Sequence, residues 1–379
     1  MKPRPNSPFS NEVLQKIRET LLLWFAENGR DLPWRKNYFP YEVWISEIML
    51  QQTRIKAMLP YYNRWMEKFP DLFAVANAAE EELFRSWEGL GYYARVKNIQ
   101  KAARRIVSEF GGKVPCDFDS IRALPGIGRY TAGAVMSFAF NADYPAADAN
   151  AARILARIFN ISVRSDSREF RDAVWYHASE MLPRGHARDF NQALMDFGSL
   201  VCLPKDPLCA ECPIAFGCRG FAAGVAGKLP VTVGKKALTE VRRAIGILVQ
   251  NGKVLVRKRP ESGLMPNLWE FPGTEAQNGE TLELALKDSW KRELGIRIGS
   301  MTPLSIIKHT HTSFRVTLHA FLCNDCGPMP ENVPRLMWLR LGELEKFAFP
   351  SAQRKVIRVL LENSANLTTI STAKGDQDG

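Results

Sequence analysis

The chain has 379 residues, 46% of them hydrophobic and 24% charged, with 51 Lys and Arg against 40 Asp and Glu for a net charge of +11. That length is too great for a comfortable single core and predicts two domains, and the composition is that of a soluble globular protein without low-complexity blocks. No run approaches the ~18 apolar residues of a membrane span, the first residues lack the apolar core of a secretion signal, and the positive surplus permits a polyanionic partner without demanding one.

Up to about residue 220 the sequence reads as helix after helix. Val13, Ile17, Leu21, Trp24 and Phe25 fall at helical spacing over 12–26, behind the capping candidates Ser10 and Asn11. Val96, Ile99, Ala103, Ile106 and Phe110 repeat the pattern over 94–110, ended by Gly111-Gly112. Further helices are predicted near 43–52, 54–68, 129–140, 150–160, 169–182 and 190–201. Residues 224–240 read as a linker rich in Gly. Beyond it the period changes: short β-rich runs at 243–249 and 253–258 flank Asn251-Gly252, a hairpin signal. A helix near 280–294, strands near 303–308, 314–322 and 334–340, and a helix near 351–362 complete a small α+β domain. The final polar residues, 365–379, are expected to be disordered.

Four of the seven cysteines stand at Cys202, Cys209, Cys212 and Cys218, in the pattern C-x6-C-x2-C-x5-C. In a reducing cytoplasm such a group points to metal rather than disulfides, and four thiolates can surround a cubane cluster or one zinc ion. Pro204, Pro207 and Pro213 stiffen the loop. Cys323 and Cys326 are only half a site and read as ordinary thiols. Upstream, Leu124-Pro125-Gly126-Ile127-Gly128-Arg129 joins two predicted helices. Its glycines allow close approach of a ligand, and the free N–H groups of the helix that follows favour an anion such as a DNA phosphate. A tight helix connection is an equally good reading of those residues alone.

Two carboxylates attract attention. Glu47 lies in the strongly apolar Trp44-Ile45-Ser46-Glu47-Ile48-Met49-Leu50, a setting that favours a protonated acid. Asp148, in Asp148-Ala149-Asn150, stands where a helix starts and reads on its own as an N-cap.

The hairpin, followed by Tyr-Thr-Ala-Gly-Ala-Val, and the cysteine spacing resemble the endonuclease III superfamily, which implies a helix-hairpin-helix grip on DNA and a [4Fe-4S] cluster held by Cys202, Cys209, Cys212 and Cys218. The further runs Leu32-Pro33-Trp34-Arg35, Ser46-Glu47 through Gln51-Gln52-Thr53, Gly89-Leu90-Gly91-Tyr92-Tyr93-Ala94-Arg95 and Asn191-Gln192-Ala193-Leu194-Met195-Asp196 narrow the resemblance to the MutY-type adenine DNA glycosylases, from about residue 12 to 360. The resemblance implies that Glu47 protonates adenine and that Asp148 steadies the sugar cation, with Asn150 and Tyr130 beside it. It places Trp34, Arg35 and Gln192 around the base. Gln52, Thr53, Leu90, Tyr92, Gly126, Gly128 and Arg129 become DNA contacts, Gln52 and Tyr92 wedging into the stack as the base is extruded. Bifunctional members carry a lysine two residues after the second hairpin glycine, whose amine attacks the sugar. Tyr130 stands there, which implies cleavage of the base–sugar bond alone. Two positions depart from the family: Ala149 replaces a common Gly, and Ala152 a common Lys.

The C-terminal residues resemble the Nudix-like domain with which such enzymes inspect the base opposite adenine. A Nudix hydrolase needs several carboxylates on one helix to hold Mg²⁺. Here Glu293 and Gly295 fit, but Ser289 and Arg292 occupy acidic positions, so binding without hydrolysis is expected. The family's reading loop often carries Phe-Ser-His, and the corresponding stretch here is His311-Thr312-Ser313. It keeps a hydroxyl at Thr312 but displaces the apolar wedge and the histidine. Thr312 and Ser313 are therefore assigned to DNA, while His309 and His311 read equally well as ordinary polar loop residues. The expectation is a multi-domain α and α+β protein: a helix-hairpin-helix glycosylase domain over 1–223 with its iron–sulfur loop at 202–218, a linker at 224–240, a Nudix-like domain over 241–364, and a tail. It is expected to be monomeric and to act on double-stranded DNA holding adenine opposite 8-oxoguanine or guanine.

Overall fold

A computed structural model describes residues 8–234, 238–277, 279–311, 314–328 and 333–363. Twelve helices come first: α1 (Asn11–Asn28), α2 (Pro40–Leu50), α3 (Ile55–Lys68), α4 (Leu72–Asn77), α5 (Glu80–Trp87), α6 (Ala94–Phe110), α7 (Phe118–Arg122), α8 (Arg129–Phe140), α9 (Ala149–Ile158), α10 (Arg168–Met181), α11 (Ala187–Leu200) and α12 (Arg219–Ala222). Among the described residues, no helix is long and apolar enough to cross a membrane. The chain forms two compact units, one of residues 1–77 and 98–235, the other of 78–97 and 236–379.

In the first unit the apolar stripe of α1 drives assembly. Leu14, Ile17 and Leu21 are buried against Ile154 and Leu155 of α9 and Phe190 and Phe197 of α11. Ser10 caps α1 through its hydroxyl, which accepts from the Val13 N–H at 3.4 Å. A smaller core joins Val43 of α2 to Ala134 and Phe138 of α8 and Met195 of α11. It brings together three helices that carry candidate site residues. The stretch expected as a linker is packed at both ends. Leu229 is buried, Val231 pairs with Arg164, and the first strand begins at Thr239.

The second unit holds β1 (Thr239–Ile247), β2 (Val249–Gln250), β3 (Lys253–Lys258), β4 (Trp269–Glu270), β5 (Gly273–Glu275), α13 (Leu282–Leu294), β6 (Ser300–His311), β7 (Phe314–Asn324), β8 (Leu336–Arg340) and α14 (Ser351–Glu362). One sheet runs β5-β1-β7-β6, with β1 and β7 parallel; the other runs β2-β3-β4, with β8 also paired to β3. Successive residues of β1 point to opposite faces. Ala244 joins Leu286, Trp290 and Leu294 of α13, whereas Ile245 and Ile247 join Val356, Ile357 and Leu360 of α14. Burial on both faces explains why the strand's second half, Ala244 to Ile247, is apolar without alternation, whereas its first half carries Glu240, Arg242 and Arg243. Asn251 (φ 50°) and Gly252 (φ 70°) are both left-handed, as a two-residue hairpin turn requires.

The pattern of contacts departs from a simple cut in the sequence. Residues 78–97, read from sequence as part of the helical domain, group with the C-terminal fold. Leu83, Phe84 and Trp87 of α5 are buried. Glu81 accepts from the Trp269 Nε1–H (3.1 Å) and the Ala348 N–H (2.7 Å), and Glu80 from Asn267 Nδ2 (2.7 Å). Helix α6 thus belongs to the second unit over Ala94–Lys97 and to the first from Asn98 onward.

Candidate active site

The site grows from α2, whose residues Val43 to Met49 are all buried, Glu47 among them. Its side chain is 3% exposed, and burial pushes its carboxyl up to about 7. The Tyr130 hydroxyl donates to Glu47 Oε2 at 2.6 Å and pulls the other way, as does the charge of Arg35; the charge of Asp148 adds to the rise. Tyr130 sits in the first turn of α8, immediately after the glycine hairpin. Desolvation, with Glu47 and Asp148 nearby, holds its phenol well above the usual range, so it remains a neutral donor.

Asp148 fills the capping role and leaves one oxygen for more. Its Oδ1 accepts from the Ala151 N–H at 2.8 Å, capping α9, while its Oδ2 accepts from Asn150 Nδ2 at 3.1 Å. Burial raises its carboxyl, and the Ala151 and Asn150 donors and the Arg153 charge oppose that rise. Arg153 was not foreseen from sequence. Its Nη2 donates to Asn150 Oδ1 (2.9 Å) and to the Gly198 carbonyl (2.6 Å), and its Nε to the Cys202 carbonyl (2.9 Å). One turn on, Arg157 donates to Cys202 Sγ at 3.1 Å, to the Leu203 carbonyl at 2.7 Å and to the Leu229 carbonyl at 3.0 Å. Positions 150, 153 and 157 share one side of α9, so a polar ladder runs from Asp148 to the cysteine loop. The visible signal was two arginines at helical spacing in an apolar segment. At Gly198 a Cβ would lie 2.6 Å from that of Asn150, so only glycine lets α11 approach this closely.

The three residues expected around the base are all engaged. Trp34 is buried edge-on to Tyr62, with ring centroids 5.1 Å apart. Arg35 grips the fully buried Asp196 through both terminal nitrogens (2.7 and 3.0 Å), and Arg30 pairs with the same carboxylate. Burial works to raise the Asp196 carboxyl, but the two arginines outweigh it and hold it below its ordinary value. Gln192, one turn before Asp196 on α11, donates to the Tyr38 hydroxyl and the Arg188 carbonyl, both at 3.2 Å.

The glycine hairpin is exposed. Gly126 (φ 78°) lies so close to Asn98 that a Cβ would meet its side chain at 2.7 Å, whereas Gly128, the N-cap of α8, faces open space. Arg129 stacks over the Trp175 ring at 3.7 Å, which orients its guanidinium beside the helix N-terminus. Gln52 is exposed in the left-handed region (φ 59°), with Thr53 next to it. In the second unit, Tyr92 is 41% exposed at φ 49° while Leu90 is buried. Thr312 and Ser313 lie outside the described residues; β6 and β7 pair up to His311 and Phe314 on either side of them.

All seven cysteines are free thiols. Cys202, Cys209, Cys212 and Cys218 line one cavity with Arg157 and Ile214. Among the described residues, no three His, Cys, Asp or Glu side chains converge as the ligands of a single metal ion do. The loop is pressed against the helices, since a Cβ at Gly217 would meet Ile17 at 2.5 Å and one at Gly220 the Arg157 carbonyl at 2.7 Å. Cys323 is a core thiol that burial pushes up to about 12.

On α13 the glutamate that fits the Nudix pattern is already taken. Glu293 pairs with Arg257 at 2.9 Å and accepts from Ser289 at 3.0 Å. Glu270 is buried among Arg243, Arg257 and Arg259.

Comparison with known proteins agrees with this architecture. Residues 45–178 match the family described as HhH-GPD superfamily base excision DNA repair protein, and residues 244–359 match the NUDIX domain. The adenine DNA glycosylase of Homo sapiens is 32% identical over 90% of this chain and 73% of its own length. That of Buchnera aphidicola subsp. Baizongia pistaciae (strain Bp) is 30% identical over 89% of this chain and 95% of its own. The solved structure of a thermostable thymine-DNA glycosylase superposes with a TM-score of 0.52 at 29% identity, covering 56% of this chain and 98% of that one. With its helix-hairpin-helix unit followed by a Nudix-like α+β fold, this chain belongs to the adenine DNA glycosylases of base excision repair.

Proposed function

We propose that the chain is a monofunctional glycosylase that hydrolyses the bond between adenine and deoxyribose where adenine is mispaired with 8-oxoguanine or guanine in duplex DNA. The observation that carries this reading is the placement of Glu47: buried, poised near 7, hydrogen-bonded by Tyr130 and within the field of Asp148. Glu47 gives its proton to the departing base, which leaves with the electron pair of the broken C–N bond. The Asp148 carboxylate, held by Ala151 and Asn150, steadies the cation left on the sugar until water adds to it. Burial raises both carboxyls, but Asp148 has backbone and side-chain N–H donors from Ala151 and Asn150 that favour its anion, whereas Glu47 has the Tyr130 hydroxyl. With a phenol at Tyr130 no amine is offered for a sugar adduct, so the product is an intact strand with an abasic site.

Trp34, Arg35 and Gln192 form the rigid surround of the base; the bonds of Arg35 to Asp196 and of Gln192 to Tyr38 fix side chains that would otherwise wander. Gly126, Gly128 and Arg129 hold a phosphate at the N-terminus of α8. Gln52 and Tyr92 enter the stack, Thr53 and Leu90 support them as DNA contacts, and Thr312 and Ser313 read the opposite base. Cys202, Cys209, Cys212 and Cys218 hold a [4Fe-4S] cluster. The all-sulfur donor set fits it, and a cubane is wide enough for four thiols around one cavity. Bound there, the cluster supplies a structural cross-link for the loop. The protein works as a monomer in the cytoplasm.

The test is cleavage of duplexes with adenine opposite 8-oxoguanine, guanine or thymine, each with and without alkali, by the wild type and Glu47→Gln. Alkali-dependent cuts opposite 8-oxoguanine and guanine, absent in the variant, support the reading. Cuts that ignore the opposite base would remove its recognition half. Strand breaks without alkali would refute the monofunctional assignment.

A further inference from the structure

The face that α5 turns toward the C-terminal fold ends in a two-pronged ion pair. Arg354 of α14 donates to Glu88 through Nε (2.5 Å) and Nη2 (2.7 Å). The Glu88 and Arg354 side chains are only 8% and 12% exposed. Arg354 also donates to the carbonyls of Leu344 (3.0 Å) and Phe347, and the Phe349 N–H reaches Glu88 Oε2 at 3.5 Å. The guanidinium is therefore fixed before it meets the carboxylate. A buried, bidentate pair of this kind sets geometry rather than merely adding attraction.

Glu88 is the residue that leads into Gly89-Leu90-Gly91-Tyr92. Gly89 (φ 101°), Gly91 (φ 70°) and Tyr92 (φ 49°) are all left-handed, an arrangement uncommon for tyrosine. The loop is braced from within. Trp87 Nε1 donates to the Gly91 carbonyl at 3.0 Å, and Arg95 Nη2 to those of Leu90 (3.0 Å) and Gly91 (3.1 Å). The Arg95 guanidinium lies between the Trp87 and Tyr92 rings, 5.3 and 5.5 Å from their centroids. An exposed aromatic is thus presented on a constrained backbone, and the first residue of that backbone is tied to α14.

We propose that Glu88 and Arg354 form a positioning pair through which the C-terminal fold holds the Gly89–Tyr92 loop in the shape that forces adenine out of the stack. The C-terminal fold then takes part in extruding the base and not only in reading its opposite. This rests on the reading that Tyr92 enters the duplex. Arg354 touches neither DNA nor the reacting atoms in this scheme; it acts through Glu88 and the loop.

The experiment uses the full chain. Extrusion is followed by the fluorescence rise of 2-aminopurine placed at the target position, in a Glu47→Gln background that cannot complete the reaction. Single-turnover release of adenine opposite guanine is followed with Glu47 intact. Arg354→Met is expected to slow both about tenfold, to raise amide exchange over residues 89–93, and to leave the pH at which release falls unchanged. Arg354→Lys, which keeps the charge but one prong, is expected to fall between Arg354→Met and wild type and serves if Arg354→Met does not fold. Unchanged extrusion in both variants would overturn the proposal. So would slower release with extrusion intact, since the pair would then act on chemistry or on the fold at large. Tyr92→Ala separates the two layers: normal extrusion in that variant sinks the wedge reading itself, whereas loss there with none in the Arg354 variants sinks the positioning pair alone.

Discussion

The Tyr130 hydroxyl and the Glu47 carboxylate, 83 residues apart in sequence, meet at 2.6 Å. The bond favours the ionised acid while burial favours the protonated one, and burial wins, leaving Glu47 near 7. In the proposed reaction Glu47 acts as a protonated acid, so adenine release is expected to fall as pH rises through about 7. Tyr130→Phe removes a donor to the charged form, so the falling limb should move to higher pH. A pH–rate profile under single-turnover conditions checks both. A limb that moves down, or stays, would contradict the role given to this bond.

The same elevated acid has a consequence for stability. A carboxyl raised on folding stabilises the fold fully below its unfolded value near 4.5, and that contribution is lost as pH climbs through about 7. Above this, the native state bears a buried charge. Glu47→Gln keeps an acceptor for Tyr130 without the charge, so it should stabilise the protein at pH 8 by up to about 3 kcal/mol and have little effect at pH 5. Urea denaturation at the two pH values checks this; equal effects at both would exclude it.

Asp196 balances Arg30 and Arg35 at full burial. Asp196→Asn leaves two guanidinium groups short of their counter-charge and should cost about 3–5 kcal/mol in chemical denaturation. Arg35→Met removes one of the two counter-charges of the buried Asp196 and should also act on chemistry. Its charge lowers the Glu47 carboxyl, so losing it should again move the alkaline limb upward.

The ladder on α9 carries two arginines about one turn apart that both bond the cysteine loop, but only Arg153 also bonds Asn150. Arg157 is bonded to Cys202 Sγ and the Leu203 carbonyl, so Arg157→Met should reduce the iron content of the purified protein. Arg153 orients Asn150 as well as bonding the Cys202 carbonyl, so Arg153→Met should slow adenine release by roughly tenfold, the scale of a misoriented polar partner, and lower the iron content less than Arg157→Met does. Iron assay and single-turnover rates on the same preparations distinguish them.

In the Nudix-like fold Glu293 is spent on Arg257 and Ser289. Incubation with Mg²⁺ and nucleoside triphosphates, including 8-oxo-dGTP, should release no pyrophosphate above background.

Much of this was legible in the sequence because each feature was local. The α1 and α6 stripes, the Asn251-Gly252 turn and the glycine hairpin are set by neighbours within a few positions. Glu47 stood out because the residues flanking it are apolar. What escaped was non-local: the Glu81 and Glu88 partners lie some 260 residues away, and a run of glutamates at a helix start reads as ordinary dipole compensation. The anchoring of the 224–240 stretch escaped for the same reason. Its glycines gave no sign that the Leu229 carbonyl would receive Arg157 from α9.

Residues 78–97 change what a truncation means. Cutting the chain in the 224–240 stretch would remove α14 and the Trp269 strand while leaving α5 behind, with Glu81 and Glu88 deprived of their C-terminal donors, Glu88 keeping only Arg85, and Leu83, Phe84 and Trp87 without the fold they belong to. The remnant would be an incomplete body with a new apolar wound. A premature stop late in this gene would therefore damage the catalytic half through its own middle, not by loss of an accessory part.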